Sequence, residues 1–452
     1  MPAYAARAFY SSRLQSLRSQ LLIQRMRDGM VLFFVFMTIL ESVKIDIGRL
    51  ANLKPFIIVI LALAFHYGIM VRRYRWRPEF NVFVLWWLSL FIPVVGGTVI
   101  SPSHFMVIVL GQLLLLGYLT LTYTYLYDRE NGVVKAIKAL IAVGVFSAGL
   151  SFLQIVAYFG GVHIGVSHAD TVGFPRAESI FTETDWHAMY MGYVTLLLII
   201  CGKHLFRQRL HFQLALSATL LSLLLSFGRA ATLGFQMRFG IFLLARRRFG
   251  MIAAGAVVVF LLMMSIQLKA PFIPESLVTR FNVVSNLEDS SMDSGALNSR
   301  LFALEMAWDF VQKEPLWGNG AGSIQLLVDS MELREQYADG GKMNAGRGGT
   351  NLFLTTLFDS GVIGLLVLLA VLYVLFRVGL HSYRMAGQAR LEPQRDIALF
   401  LVLGLLYFVL NCMANNFIRY PLVWLHFVLI FLYHRQLQEF FRGDAYANSA
   451  LR

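Results

Sequence analysis

Apolar side chains recur along this chain in about twelve runs, most of them close to the length at which an α-helix spans a bilayer, roughly 20 residues. No other feature restricts the fold as much. Of the 452 residues, 57% are hydrophobic and only 14% charged, and the mean hydropathy is +0.63. A water-soluble domain carries about a quarter charged residues, so this much apolar surface has no aqueous packing solution. A doubly wound enzyme, an all-β sandwich and a disordered scaffold are excluded. The fold expected is an all-α polytopic membrane protein.

The runs lie near 29–43, 55–71, 81–101, 104–127, 139–164, 187–202, 213–228, 230–245, 249–268, 351–376, 397–415 and 421–434. Glu41 interrupts the first, and only Gly228 and Arg229 separate the seventh from the eighth. Basic residues set the orientation, because Lys and Arg gather in loops that are not translocated. Arg7, Arg13, Arg18, Arg25 and Arg27 precede the first run, and Arg72, Arg73, Arg75 and Arg77 follow the second. Each later even-numbered exit is basic too, as with Arg246, Arg247 and Arg248 after the eighth. Both termini are therefore expected in the cytoplasm. The formal net charge of +13 then reflects membrane topology and anionic head groups, and nucleic acid is not expected as a partner.

This gives a basic cytoplasmic N-terminus over 1–28 acting as an uncleaved anchor, nine crossings over 29–268 and a large outer loop over 269–350. Three crossings over 351–434 and a cytoplasmic tail over 435–452 complete the chain. Cys201 and Cys412 both sit in apolar runs, which leaves no disulfide framework and no thiolate zinc site.

The outer loop holds seven Lys or Arg against eleven Asp or Glu, so its arginines act singly rather than as a polyanion patch. Leu301, Leu304, Trp308 and Val311 recur at helical spacing between Asn298 and Pro315, with Asn298 or Ser299 as N-cap. A second loop helix is expected from Ser323 to about Tyr337. Gly318, Gly320 and Gly322 join the two.

Chemistry is expected at the outward-facing exits. Arg229 lies between two apolar runs with no acidic neighbour, and an unpaired guanidinium near hydrocarbon costs a few kcal/mol unless it meets water, a carbonyl or an anion. It either snorkels to head groups or holds an anion, and its planar fork suits phosphate oxygens. Arg176 opens a short segment dense in polar groups, where Glu178 or Glu183 could neutralise it. Glu183, Asp185 and His187 are proton-acceptor candidates by type. Arg300 begins the amphipathic loop helix. Arg238, inside the eighth run, either snorkels or pairs within the bundle, while His66 and His426 are expected to pack in it. No metal-binding, phosphate-loop or dinucleotide motif is present, so neither metal nor cofactor is expected.

Taken in order, Arg176 to His187, Ser226-Phe227-Gly228-Arg229-Ala230, Asn298-Ser299-Arg300 with Trp308, Pro315-Leu316-Trp317-Gly318-Asn319-Gly320, and Asn351 with Gly361 and Gly364 resemble the O-antigen ligase and Wzy-type polymerase superfamily. The likeness spans roughly residues 170 to 370. It implies a glycosyltransferase of the bacterial inner membrane, working on the periplasmic face without metal, that builds exopolysaccharide or lipopolysaccharide. The implied donor is an undecaprenyl-diphosphate-linked glycan, and the acceptor a second lipid-linked glycan or lipid A core; a chain-length regulator is a partner of the polymerase branch. By motif position Arg176 and Arg229 would hold the diphosphate, with Glu183 as base and Arg300, Asp185, His187, Thr350 and Asn351 contacting substrate. The superfamily pattern of His, a polar residue, nine residues and Gly-x-x-Gly is matched by Asn351, Gly361 and Gly364, but Thr350 stands where the His would be. That departure favours a polymerase over a ligase. A lipid-glycan transporter is the remaining alternative, against which stand the absence of a half repeat and the concentration of polar residues in unequal outer loops.

Overall fold

The computed structural model describes residues 24–43, 45–46, 52–71, 75–167, 175–226, 228–247, 304–324, 351–388, 391–413 and 416–450. Its helices, in chain order, are α1 (24–39), α2 (Pro55–Ala64), α3 (Asn81–Ser89), α4 (Ile92–Gly96), α5 (Pro102–Tyr127), α6 (Gly132–Phe159) and α7 (Thr184–Leu205). They continue with α8 (Arg209–Leu225), α9 (Arg229–Ala245), α10 (304–313), α11 (Leu352–Gln388), α12 (Glu392–Cys412) and α13 (Pro421–Ala450). Among the described residues six helical stretches are long and apolar enough to cross a membrane, counting α3 and α4 as one span from Pro78 to Gly96. The ninth apolar run, 249–268, lies outside the described residues.

Local chemistry explains the boundaries. Pro55 and Pro102 open α2 and α5 at positions where the missing N–H costs nothing. Pro93, by contrast, falls inside the expected 81–101 run and divides it into α3 and α4. After Ala64 the backbone of α2 widens into an i→i+5 turn over Phe65–Val71, and His66 lies exposed there rather than packed in the bundle. Two helices outrun their apolar stretches: α11 continues through Arg377 and Arg384, and α13 through the tail to Ala450.

Contacts sort the helix ends into two groups. At one end the N–H groups of Glu41 and Ser42 both donate to Ile180 O, and the Tyr420 hydroxyl donates to Ile39 O. At the other, Lys135 pairs with Asp28, Arg75 with Asp128, Tyr127 with Glu439, and Arg246 and His204 with Asp396. These are the odd and even exits, gathered as the basic-residue alternation requires. Helices α7, α12 and most of α13 are buried at the centre; His426 is sealed there, bonded to the Tyr193 hydroxyl and to Leu401 O, both at 2.9 Å. Outer faces remain apolar, with Val156 on α6 still 69% exposed, which is the surface a bilayer covers. Two antiparallel ribbons of two residues each, β1 (Ile45–Asp46) with β2 (Asn52–Leu53) and β3 (Val166–Ser167) with β4 (Arg176–Ala177), are the departures from an all-helical chain.

Candidate functional site

Arg176 is delivered by the second ribbon, whose register sets it opposite Ser167. The next turn needs Ser179 in the left-handed region, at φ 56°. Gln154 of α6 clamps that strained residue on both sides, accepting from its N–H at 2.8 Å and donating to its carbonyl at 3.3 Å. The chain then enters α7 at Thr184. Only 7% of Arg176 is exposed. Its Nε donates to Ser226 O at 2.9 Å and its Nη2 to Asp185 Oδ1 at 3.0 Å.

The first of those bonds joins motifs fifty positions apart. Ser226 ends α8, its hydroxyl accepts from the Gly228 N–H, and Arg229 opens α9. Gly228 is needed for close approach: a Cβ there would stand 2.4 Å from the Ala188 Cβ on the first turns of α7. The N-termini of α7 and α9 therefore abut beside the Arg176 guanidinium. A carboxylate that neutralises Arg176 is Asp185, which the first turn of α7 carries back over the ribbon. Asp185 is thus a counterion, half spoken for.

Glu183 occupies the N-cap position of α7 without capping it, and its side chain is exposed. Lys54 stands nearby, paired with the buried Glu41 and 5.8 Å from the Trp186 ring centre. Burial pushes the Lys54 ammonium below its ordinary range, and the charge of Glu183 opposes that shift. His187 is only 1% exposed and faces inward: Nε2 lies 2.9 Å from the Ser222 hydroxyl and Nδ1 3.4 Å from that of Ser147. It ties α6, α7 and α8 together. Asn351 caps α11, accepting from the Leu354 N–H at 2.7 Å. Arg300 and Thr350 lie outside the described residues.

The described part of the large loop locks onto α11. Helix α10 is described from 304 and stops ahead of Pro315, as its apolar spacing predicts, while its expected N-cap at Asn298 or Ser299 lies outside the described residues; of the second expected loop helix, 323–324 are helical and the rest lies outside the described residues. Helix α11 breaks at Ser360 and Gly361, where φ is 64°. That break frees the carbonyls of Phe358 and Asp359, which accept from the N–H groups of Asn319 and Gly320, while Val362 N donates to Pro315 O. A Cβ on Gly361 would come within 2.1 Å of Leu316 O, and one on Gly318 within 2.6 Å of Gly361 N. From the other side the Thr98 hydroxyl donates to Gly318 O.

Beneath this junction is a small polar cavity lined by Gln112, Thr356, Asp359, Ser360, Asn416 and Arg419, with Trp86 as an aromatic wall. Asp359 Oδ1 and Ser360 Oγ have no hydrogen-bond partner among the described residues. Asp359 and Arg419 escape motif reading, although a lone carboxylate inside an apolar run was a usable signal. Arg238, fully buried on α9, neither snorkels nor meets a carboxylate among the described residues. Its guanidinium sits 3.3 Å from the ring centre of Tyr407 on α12.

The molecule is thus a bundle of apolar helices whose buried arginine, helix N-termini and glycine-locked loop collect at one end. Residues 214–369 match the O-antigen ligase family model. The chain carries a domain of that family, whose members act on lipid-linked glycans. The match takes in α8, the Ser226–Arg229 turn, α9, α10 and the kink of α11; Arg176 and Asp185 lie before it. No curated protein matches the chain.

Proposed function

We propose that the protein polymerises lipid-diphosphate-linked oligosaccharide repeat units on the periplasmic face of the bacterial inner membrane. One observation carries this reading: the Arg176 guanidinium is bonded to the turn that leads into Arg229, so both motif arginines belong to one corner of the bundle. In the proposed reaction an acceptor hydroxyl attacks the anomeric carbon of the donor. The bond to the diphosphate breaks, and its electron pair leaves with the phosphate oxygen. Negative charge grows on the diphosphate as that bond breaks, so arginines aimed at it favour the transition state over the bound donor. The N-termini of α7 and α9 add partial positive charge at the same place. Asp185 orients Arg176, and exposed Glu183 takes the hydroxyl proton.

The ligase reading, transfer of finished glycan to lipid A core or to protein, uses the same donor chemistry and is favoured by the description of the matching family. Thr350, where a ligase would carry His, weighs against it. Purified protein incubated with lipid-linked glycan, extracted from a strain lacking the protein, separates the two. A ladder of products supports polymerisation, a single transfer to a second acceptor supports ligation, and no conversion sinks both. In the same assay Glu183→Gln is expected to shorten and thin the ladder; full length and yield would remove Glu183 as the base.

A further inference from the structure

The second polar feature of this end of the molecule is the cavity beneath the junction of the loop with α11, and the corner around Arg176 does not account for it. Asp359 is the eighth residue of α11 and Gln112 the eleventh of α5. At about 1.5 Å per residue both lie roughly 10–15 Å below the helix starts, at hydrocarbon depth. Polar side chains there are costly unless they meet one another or a ligand. Asp359 is only 5% exposed, and one of its oxygens has no partner among the described residues. The Ser360 hydroxyl beside it, fully buried, is in the same condition. Arg419 stands exposed at the mouth of the cavity, and its charge acts on Asp359 without supplying that oxygen with a bond. An ion pair kept only to fasten the loop would close this gap.

The composition of the lining says what the gap suits. One carboxylate and one guanidinium cancel in charge, which distinguishes this cavity from the cationic corner and argues against a second anion site. The Gln112 amide and the Ser360 hydroxyl supply donors and acceptors, the Thr356 hydroxyl already donates to Leu352 O and Asn416 Oδ1 already accepts from the Ile418 N–H, and the Trp86 ring lines one side. The cavity is small, about 30 Å³, room for one or two water-sized groups, so what it suits is the hydroxyls of a sugar and not the whole ring. The cavity also borders the Arg176 corner: Trp186, next to Asp185, packs edge-on against Phe417 and Tyr420, which flank Ile418 and Arg419.

We propose that this cavity is the acceptor subsite, in which Asp359 and Arg419 hydrogen-bond hydroxyls of the incoming glycan and aim one of them toward the donor held at Arg176. The inference rests on the glycan-transfer reading above. The loop packs beside the cavity, the N–H groups of Asn319 and Gly320 bonding the carbonyls of Phe358 and Asp359.

Two binding measurements on purified full-length protein test it. One probe is undecaprenyl diphosphate; the other is the soluble oligosaccharide freed by mild acid from the lipid-linked glycan of a strain lacking the protein. Asp359→Asn and Arg419→Lys are expected to weaken oligosaccharide binding at least tenfold and to leave undecaprenyl diphosphate affinity within twofold; Arg176→Lys should do the reverse. Should Asp359→Asn fail to fold, Gln112→Leu, which removes a polar group from the lining, carries the same expectation. Wild-type oligosaccharide affinity in the folded variants, or loss of both ligands together, overturns the subsite. If wild-type protein binds undecaprenyl diphosphate but no oligosaccharide, the subsite falls and the transfer reading stands. If it binds neither and converts nothing, the transfer reading falls first.

Discussion

The Arg176 corner and the Asp359 cavity lie at the same end of one bundle, yet they treat their charges in opposite ways. Arg176 is held by a carbonyl and a carboxylate, each within ordinary hydrogen-bond distance. Asp359 keeps an oxygen without a partner among the described residues although it is even more deeply buried. A satisfied guanidinium is preorganised: its position is set before any ligand arrives, which is what stabilising a developing charge demands. An unmet carboxylate, at a cost of roughly 1–3 kcal/mol, waits for a partner that comes and goes. The backbone follows the same division. At the corner, helix N-termini abut through Gly228; at the cavity, α11 is broken so that its freed carbonyls can hold the loop.

Replacing the planar fork strikes this comparison hardest. Arg176→Lys and Arg229→Lys are each expected to reduce transfer by about 10²- to 10³-fold, because a point charge cannot reproduce two parallel bonds to phosphate oxygens. Wild-type polymer from either variant would end the assignment. Gly361→Ala attacks the other region. The positive φ and the approach of Leu316 O predict a loss of about 1–3 kcal/mol, read as a lowered thermal unfolding midpoint, and an unchanged midpoint would mean that the loop does not depend on the break in α11. The smallest effect is expected at Ser222→Ala, which unties His187 from α8 for about 1 kcal/mol while leaving transfer intact. A fall in turnover without a fall in stability would return His187 to the reacting centre.

Much of the fold was legible in the chain itself. Helices α5, α6, α7, α11 and α12 each overlap an apolar run, α11 continuing past the end of its own, since hydrocarbon length and side-chain polarity act residue by residue. Pro315 marks the end of α10 for an equally local reason. The site was legible in part. Arg176 and the Ser226–Arg229 turn stand out because a guanidinium beside an apolar run is costly wherever it occurs. Asp185 as counterion, His187 as a buried tie and the opposition of Gly318 to Gly361 did not, since each depends on which helix lies next to which.

Polarity along the chain determined where helices run, because transfer from water to lipid is a property of each side chain and its near neighbours. Tertiary structure alone decided that Arg176 bonds the carbonyl of Ser226, that Arg238 stacks on Tyr407 instead of reaching an interface, and that Asp359 shares a cavity with Gln112 and Arg419. Those partners sit far apart in sequence, and in a bilayer, where every helix face is apolar, only the fit of one surface against another selects them.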